Sequence, residues 1–414
     1  MPTSSRAVTE RQDLALLTGV RGGEMLRLAY ADRAVVTSWR IHQIHHRPGA
    51  GVTVGYSVDL RNNRDGSTED LYVLASTARI SSEKVFAAGG RRLRLGETRV
   101  SIWEYPFDPE LPALELASDP NQISDFLGEV VELELLGYRP TRRAVVRADR
   151  EGQDPLFIKV LRPKEQVSLE ERLNAVAQAG LAAPQIYRSA PGMVVMTAVK
   201  GRPLSRLLAE TSSRVLPSKR PSFETLEETL NSLEQALDKL PMLMPGKKLR
   251  PAWAERSEHY AEAASLALPH RLRECNRIGS EITRRLKRAD VGPQVPTHGD
   301  FYEANIYVGE NNNIFSAILD LDSFGPGYRV HDWGCLLGHM SVLPYLSPKI
   351  YDGVPGIVED WFRLLSQRVD AHALATSASG VVLSLVAGAK KKRRDDNTEA
   401  ENRLRIAGQW LERA

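Results

Sequence analysis

The segment from His298 to Asn305, followed by Asp320, carries residue types that can do chemistry in this chain. Phosphoryl transfer needs one carboxylate beside the incoming hydroxyl, together with an amide and a second carboxylate that hold Mg²⁺ against the phosphates. Asp300 suits the first task, and Asn305 and Asp320 suit the second. The order of these residues therefore predicts a phosphoryl-transfer site.

A short β-hairpin is predicted between Asn305 and Asp320. The apolar runs Ile306–Val308 and Ile314–Leu319 are typical of strands, and the residues between them, Gly309–Asn313, are turn formers. An antiparallel hairpin returns the chain to its starting point, so it would bring the amide and the carboxylate together. Taken singly, each polar residue could instead cap a helix or form a turn, and the prediction depends on their order.

These residues resemble the aminoglycoside phosphotransferase and choline kinase-like group of the protein-kinase-like superfamily. The signature of that group reads H-G-D-x-x-x-x-N, followed by an Asp after a hairpin and by another Asp that opens the next helix. The resemblance implies that Asp300 is the catalytic base, that Asn305 and Asp320 bind Mg²⁺, that Asp332 ties the loop to the next helix, and that His298 braces the loop through hydrogen bonds.

A single lysine, Lys159, lies inside the apolar run Leu156–Leu161. A kinase needs such a lysine on a small-lobe strand to reach the nucleotide phosphates, although an isolated lysine in a strand can also snorkel to solvent. A helix is predicted over about residues 168–179, with Glu170 and Glu171 in its first turn. One glutamate should pair with the lysine, and we favour Glu170; the helix dipole alone also favours acidic residues there.

The strand predicted over Gly192–Val199 resembles the segment that runs into the interlobe hinge of this family. The resemblance implies that backbone groups of Met196, Thr197 and Ala198 contact the nucleotide base. Because backbone groups would contact the base, the side chains do not distinguish ATP from GTP, and either is predicted as the phosphoryl donor.

The stretch Glu132–Pro140 leads through Arg142 and Arg143 into an alternating strand and resembles the first small-lobe hairpin of the family. No glycine-rich loop occurs at its tip, and the family does not use one. The two arginines could donate hydrogen bonds to phosphates, but a solvated turn is the simpler interpretation.

The composition is that of an ordinary globular enzyme. The chain has 414 residues, of which 42% are hydrophobic and 26% charged, enough for two or three domains with sizeable cores. A net charge of +3 is too small to indicate nucleic acid or a membrane surface as a partner. The basic run Lys390–Arg394 is followed at once by Asp395 and Asp396, and it is interpreted as a solvated helix end.

The two cysteines, Cys275 and Cys335, lie in apolar helical patterns and are predicted to be core residues. This usage argues against a disulfide framework and favours a reducing cytosol. Met1–Val20 lacks an apolar signal core, and Val381–Ala389 is too short to span a bilayer. A cytoplasmic protein is therefore predicted.

An additional domain is predicted at the front of the chain, because the family resemblance begins only near Glu132. The run Ile44–Val58, followed by Leu71–Leu74, looks like a second copy of the small-lobe hairpin and its following strand. In this copy Leu74 or its neighbour stands where the small lobe has Lys159, so the copy cannot bind phosphates in the same way. It is interpreted as a cap.

The predicted fold class is α+β, a kinase-like two-lobed fold preceded by an α+β cap. The cap spans residues 1–125, the β-rich small lobe 126–200 and the helical large lobe 201–414, which contains the catalytic loop 298–305 and the acceptor pocket. Two apolar stripes at helical spacing are predicted to be core in the large lobe: Leu226, Leu230, Leu233, Leu237 and Leu240, and Leu272, Cys275, Ile278, Ile282 and Leu286.

The resemblance implies a small-molecule O-phosphotransferase that uses Mg²⁺ and ATP or GTP. The acceptor would be a hydroxyl of a sugar, amino sugar, aminoglycoside or similar polar molecule. Sugar kinases resembling the maltokinases carry a cap, which favours a sugar, although their catalytic loop typically ends in Gln where this chain has Asn305. The alternatives are an inactive nucleotide-binding regulator and a protein kinase; the latter lacks room for an activation segment between Asp320 and Asp332.

Overall fold

The computed structural model describes residues 3–47, 50–242, 251–389 and 396–414. The basic run Lys390–Arg394, predicted to be a solvated helix end, lies outside these residues. In the part of the chain that is described, no helix is both long enough and apolar enough to cross a membrane.

The chain divides into two compact units, one formed by Met1–Glu170 with Ile186–Ala198, the other by Glu171–Gln185 with Val199–Ala414. The elements up to residue 198 are α1 (Thr3–Thr18), α2 (Val20–Tyr30), β1 (Ala34–Arg47), β2 (Gly51–Asn62), β3 (Thr68–Ser76), α3 (Ser82–Ala87), β4 (Arg91–Leu95), β5 (Thr98–Glu104), α4 (Leu114–Ser118), α5 (Pro120–Leu127), β6 (Val131–Arg139), β7 (Arg143–Arg150), β8 (Leu156–Leu161), α6 (Pro163–Gln178), β9 (Ile186–Ala190) and β10 (Met193–Thr197).

The first unit contains two antiparallel five-stranded sheets with the same strand order. The first is ordered β1-β2-β3-β5-β4, and the second β6-β7-β8-β10-β9. In both sheets a helix, α3 or α6, separates the third strand from the fourth. The similarity predicted from the first hairpin therefore extends to the whole sheet, and we call the first sheet with its helices the N-terminal repeat (residues 3–104).

Alternating residues of β3 serve two separate apolar clusters, as the two-residue period of a strand requires. Val73 and Ala75 pack into the cluster that also holds buried side chains of α2, such as Met25. Leu74 belongs to the other cluster, together with Trp103 of β5. The N-terminal repeat thus has a covered sheet, with apolar residues packed on both faces.

Helix α5 has clear start and stop signals. Asp119 is its N-cap and accepts hydrogen bonds from the backbone of Asn121 and Gln122, and Pro120 occupies the first helical position. Gly128 ends the helix in the left-handed conformation, with φ of 81°. These local signals place α5 directly before β6.

The second unit is mostly helical. Its elements are β11 (Arg202–Pro203), α7 (Leu204–Ala209), α8 (Phe223–Asp238), α9 (Ser257–Ala267), α10 (Leu272–Leu286), β12 (Gln294–Thr297), β13 (Ile306–Val308), β14 (Phe315–Ile318), β15 (Gly325–Tyr328), α11 (Arg329–Leu346), α12 (Val354–Leu365), α13 (Ala371–Val386) and α14 (Thr398–Glu412). The predicted α+β class, with a β-rich part followed by a helical part, is confirmed.

Helices α11 and α13 pack closely because small residues face each other at their contact. A Cβ atom on Gly334 would lie 2.4 Å from the Cβ of Ser377, and one on Gly338 would lie 3.0 Å from the Ala378 carbonyl oxygen. Helix α13 is buried along nearly its whole length. This close packing fixes the position of α11, whose first turn carries Asp332.

The predicted core positions of the large lobe are largely confirmed. The stripe on α8 is buried, and Cys275 and Cys335 are buried free cysteines, as expected for core residues. The prediction for Leu272 is wrong, since this first residue of α10 is 47% exposed. Periodicity does not reveal where a helix end leaves the core, and Leu272 stands at such an end.

Candidate active site

The catalytic loop, residues 298–305, connects two small antiparallel sheets of the second unit. Before the loop, β12 pairs with β15, and after it β13 pairs with β14 in the predicted hairpin, with Ile306 opposite Ile318. The Leu319 amide donates to the carbonyl oxygen of Asn305 at 2.8 Å. The hairpin therefore returns Asp320 to the end of the catalytic loop, as the sequence predicted.

Asp332 holds the beginning of the catalytic loop. Its carboxylate is 1% exposed and accepts hydrogen bonds from the backbone amides of His298 at 3.0 Å and Gly299 at 2.9 Å. The guanidinium of Arg329 lies 3.7 Å from the same carboxylate. One buried side chain of α11 thus fixes two consecutive amides of the loop.

His298 connects the two segments that carry the acidic residues. Its Nε2 lies 2.8 Å from the Leu319 carbonyl oxygen, and its Nδ1 accepts from the backbone amide of Asp300 at 3.2 Å. These partners assign the neutral tautomer protonated on Nε2. The ring is fully buried, whereas the Asp300 side chain stays partly exposed and within reach of a ligand.

Asn305 and Asp320 supply oxygen atoms of the kind that Mg²⁺ prefers. The Asn305 amide nitrogen donates to the Asp300 carbonyl oxygen at 3.0 Å, which leaves the amide oxygen as the group available to a cation. Asp320 has a left-handed backbone with φ of 56°. Sparsely populated conformations of this kind cluster at ligand sites. The donor set therefore fits a magnesium ion that takes its remaining ligands from phosphate and water.

Gly299 is required by the backbone of the loop. Its φ is 77°, and a Cβ atom there would lie 2.8 Å from the backbone oxygen of Ser323. Any other residue would combine a strained backbone with a steric clash. The glycine lets the loop turn from His298 to Asp300 while the His298 ring keeps its two hydrogen bonds.

A cavity of about 50 Å³ adjoins the catalytic loop, and Gly299 is part of its wall. Trp253 and Tyr260 supply two aromatic rings whose centroids are 5.8 Å apart. The guanidinium of Arg256 lies 5.3 Å from the Tyr260 ring centroid, and Tyr328 contributes another ring. The pocket therefore combines three large aromatic rings with polar and charged side chains, and the sequence had not singled out these residues.

Glu303 is a buried carboxylate inside the catalytic loop that sequence reasoning missed. It is 6% exposed, and its Oε2 has no hydrogen-bond partner among the residues described. Burial, with a smaller contribution from the charge of Asp300, raises the pKa of Glu303 to about 7. The family signature leaves this position open, so no motif could have identified it; only the burial does.

Glu303→Gln is expected to stabilise the metal-free protein more at pH 8 than at pH 5. The pKa of about 7 in the folded protein exceeds the ordinary value of 4.5 for a glutamate, so the stability associated with the bound proton is present at low pH and lost as pH rises through 7. The stabilising effect of the variant should be larger at pH 8 than at pH 5 by on the order of 3 kcal/mol. Urea unfolding in EDTA at both pH values measures it, with the exposed Glu258→Gln as control; equal effects at the two pH values would contradict the expectation.

Lys159 lies in the central strand β8 of the second sheet, opposite Val145 and Val194, and is 6% exposed. The predicted start of α6 is wrong: the helix begins at Pro163, because proline is well suited to a first turn. Glu170 and Glu171 therefore lie in the middle of the helix, where the dipole does not account for an acidic residue. Glu170 Oε1 is buried without a hydrogen-bond partner among the described residues, and its pairing with Lys159 stays a prediction.

The predicted hinge residues lie at the end of β10. Met196 is opposite Phe157 of β8, and Thr197 is opposite Leu156. Ala198 is the last residue of the first unit. Their contact with a nucleotide base stays a prediction.

Several solved structures are similar to this chain at low sequence identity. A candidate aminoglycoside phosphotransferase of Ralstonia eutropha JMP134 is 14% identical, with 71% of this chain and 97% of that chain covered and a TM-score of 0.49. Aminoglycoside phosphotransferase APH(3'')-Id of Streptomyces rimosus is 14% identical, with 61% of this chain and 92% of that chain covered and a TM-score of 0.40. Plasmodium vivax ethanolamine kinase is 13% identical, with 67% of this chain and 82% of that chain covered and a TM-score of 0.43. No curated protein sequence matches the chain.

A family model described as "Phosphotransferase enzyme family" matches residues 138–350, just over half of the chain. The matched region begins in the first hairpin of the second sheet and contains Lys159, the catalytic loop, Asp320 and Asp332. It includes both the β-rich segment and the helical segment of the predicted kinase-like fold, which is thereby confirmed. This match agrees with the residues of the loop and with their hydrogen bonds. The chain belongs to the phosphotransferase enzyme family of the aminoglycoside phosphotransferase type.

Proposed function

We propose that the protein transfers the terminal phosphoryl group of ATP or GTP to a hydroxyl of a small polar acceptor. The observation that carries this proposal is the arrangement of the catalytic loop. His298 and Asp332 hold its backbone, while Asp300, Asn305 and Asp320 present oxygen atoms on one loop and hairpin. A carboxylate for the acceptor hydroxyl and a separate oxygen pair for a cation are what phosphoryl transfer needs.

Asp300 would accept or orient the proton of the acceptor hydroxyl, because its side chain is partly exposed while its backbone is fixed on both sides. Asn305 and Asp320 would hold Mg²⁺, which when bound neutralises negative charge on the phosphates. Lys159 would contact the donor phosphates, and Glu170 would orient that lysine.

Nucleotide binding would further involve the backbone of Met196, Thr197 and Ala198 at the end of β10. In this arrangement residues 126–200 form the small lobe, 201–414 the large lobe, and 1–125 a cap. The protein would act in the cytoplasm on a soluble metabolite or drug, without nucleic acid or membrane as a partner.

The aromatic pocket next to Gly299 favours an uncharged, hydroxyl-rich acceptor such as a sugar. Among its lining residues, Glu255 is the exposed carboxylate and Arg256 the cation, while the carboxylate of Asp332 is engaged by the loop. A polycationic aminoglycoside would need several carboxylates to replace its hydration, whereas a sugar ring packs on aromatic faces such as Trp253. We therefore place neutral sugars ahead of aminoglycosides as candidate acceptors.

Trp253→Ala is expected to raise the acceptor KM by roughly 10-fold and to leave the nucleotide KM unchanged, because the ring would contact the acceptor alone. Steady-state kinetics with each substrate varied in turn measures both constants. Trp410→Phe, which alters an indole of α14 that donates to Ser341, is the aromatic control. An unchanged acceptor KM would remove this pocket from acceptor binding.

The function itself is tested by nucleotide consumption with purified protein, Mg²⁺, and ATP or GTP. The panel contains neutral sugars, amino sugars, aminoglycosides and amino alcohols, with Asp300→Asn as the control. Turnover with one acceptor that the variant abolishes would establish the kinase and its substrate class. Nucleotide binding without turnover across a broad panel would favour the regulator instead.

A further inference from the structure

The turn between β6 and β7 has an uncommon backbone. The Arg142 amide donates to the Arg139 carbonyl oxygen at 3.0 Å, which closes a four-residue turn with Pro140 at its second position. Thr141 follows with φ of 62°, as the third position of a type II turn requires. Glycine is the usual residue there, and a β-branched residue in this conformation must be held by its surroundings.

Asp108 holds the amide side of Thr141. It lies four residues after the end of β5, in the segment that continues from the N-terminal repeat, and is 2% exposed. Its Oδ2 accepts from the Thr141 amide at 2.7 Å and from the Tyr138 hydroxyl at 2.6 Å, and its Oδ1 accepts from the Glu110 amide at 2.9 Å. Oδ2 therefore joins this segment to the turn, while Oδ1 holds the carboxylate against its own backbone.

Arg162 holds the carbonyl side of Thr141. Its Nε donates to the Thr141 carbonyl oxygen at 2.9 Å and lies 3.5 Å from a carboxylate oxygen of Glu110. The same carboxylate pairs with Lys84 of α3 at 2.9 Å. A chain of charged groups thus runs from a helix of the N-terminal repeat to the turn. Side chains hold both the N–H and the C=O of Thr141.

Aromatic packing supports the same junction. The ring of Tyr138 lies 5.4 Å from that of Tyr105 and 6.5 Å from that of Tyr72, measured between centroids. The indole of the buried Trp103 donates to the Tyr138 hydroxyl at 3.4 Å. The first hairpin of the second sheet is therefore seated on the N-terminal repeat through both apolar and polar contacts.

The last three positions of the turn, residues 140–142, offer no free backbone N–H. Pro140 has no N–H, the Thr141 amide binds Asp108, and the Arg142 amide closes the turn. A glycine-rich phosphate loop works differently, because its backbone amides point at the ligand. In this chain the turn is pre-organised by neighbouring side chains instead of shaped by glycine.

We propose that Asp108 is a positioning residue for the phosphoryl donor: the N-terminal repeat fixes, through Asp108, the small-lobe turn that faces the nucleotide phosphates. The inference rests on the proposed function and adds to it that this hairpin tip takes the place of the loop that covers the phosphates in kinases. It gives the N-terminal repeat a role in nucleotide binding without any contact of its own with the nucleotide.

Asp108→Asn tests the proposal, because the amide keeps the size of the side chain but can no longer accept at both oxygens. Without this hydrogen bond to a charged group, nucleotide binding would have to order the turn. The nucleotide KM should therefore rise by roughly 10-fold or more, while the acceptor KM stays unchanged. Hydrogen exchange of a peptide covering residues 138–143 should become faster. Tyr138→Phe, which removes one donor to Asp108 and keeps the ring, should shift both readouts in the same direction by less.

Asp119→Asn is the matched control, since Asp119 caps α5 through backbone hydrogen bonds in the same segment of the chain. Asparagine is as good an N-cap as aspartate, so this exchange keeps α5 and does not touch the turn, and the nucleotide KM should not change. An unchanged nucleotide KM in Asp108→Asn, or an equal rise in the acceptor KM, would overturn the proposal. Should wild-type protein bind no nucleotide, the proposed function fails, and hydrogen exchange still shows separately whether Asp108 anchors the turn.

Discussion

Asp300→Asn is expected to lower turnover by roughly 10²- to 10⁴-fold, the scale of a positioned general base. The variant keeps the size of the side chain and the hydrogen bonds of the backbone. The backbone amide of residue 300 still donates to His298 Nδ1, and its backbone carbonyl oxygen still accepts from the Asn305 side chain. What it removes is the carboxylate that would receive the hydroxyl proton. Nucleotide binding should therefore stay nearly intact.

The measurement is kcat with saturating acceptor, together with the nucleotide Kd from calorimetric titration. Asp360→Asn makes the same exchange in α12, where Asp360 forms an exposed pair with Arg363, and it should leave both quantities unchanged. Unchanged turnover in Asp300→Asn would remove this residue from the mechanism. A large loss of nucleotide binding would instead assign it to holding the donor.

Asp332→Asn is expected to damage stability and turnover together, although Asp332 touches no reacting atom in the proposed mechanism. The two carboxylate oxygens accept from the amides of His298 and Gly299. An asparagine can accept from only one of them and presents its own NH₂ group to the other. A buried donor left without a partner costs about 1–3 kcal/mol, and removal of the buried charge beside Arg329 adds to that cost.

The displaced loop should also lower turnover by roughly 10²-fold, since misplacing catalytic groups by about 1 Å has effects of that size. Urea unfolding and steady-state kinetics measure the two effects. The exposed Asp360→Asn again serves as control, because surface pairs contribute about 0–1 kcal/mol. Native stability combined with native turnover would show that the loop does not depend on this carboxylate.

The residues of the catalytic loop and the hairpin behind it were predictable because their signals are local. Turn-forming residues at Gly309–Asn313, flanked by short apolar runs, determine a hairpin whatever surrounds it, and β13 and β14 formed where expected. The similarity of residues 44–58 to the first small-lobe hairpin likewise predicted a second copy of that hairpin, and the structure extends the likeness to two sheets of the same strand order. Local patterning fails at element ends, as with Leu272 and with α6, which begins five residues earlier than predicted, at Pro163.

The sequence by itself thus determined the family, the order of the candidate catalytic residues and the repeated hairpin, because each depends on residue types at short spacing. Only the tertiary structure decided which groups are buried and what they contact. The hydrogen bonds that Asp332 accepts from the His298 amide and that Asp108 accepts from the Thr141 amide each span more than 30 residues, and burial is the main cause of the raised pKa of Glu303. Burial and distant hydrogen bonds arise from the packing of separate elements, which no local pattern specifies.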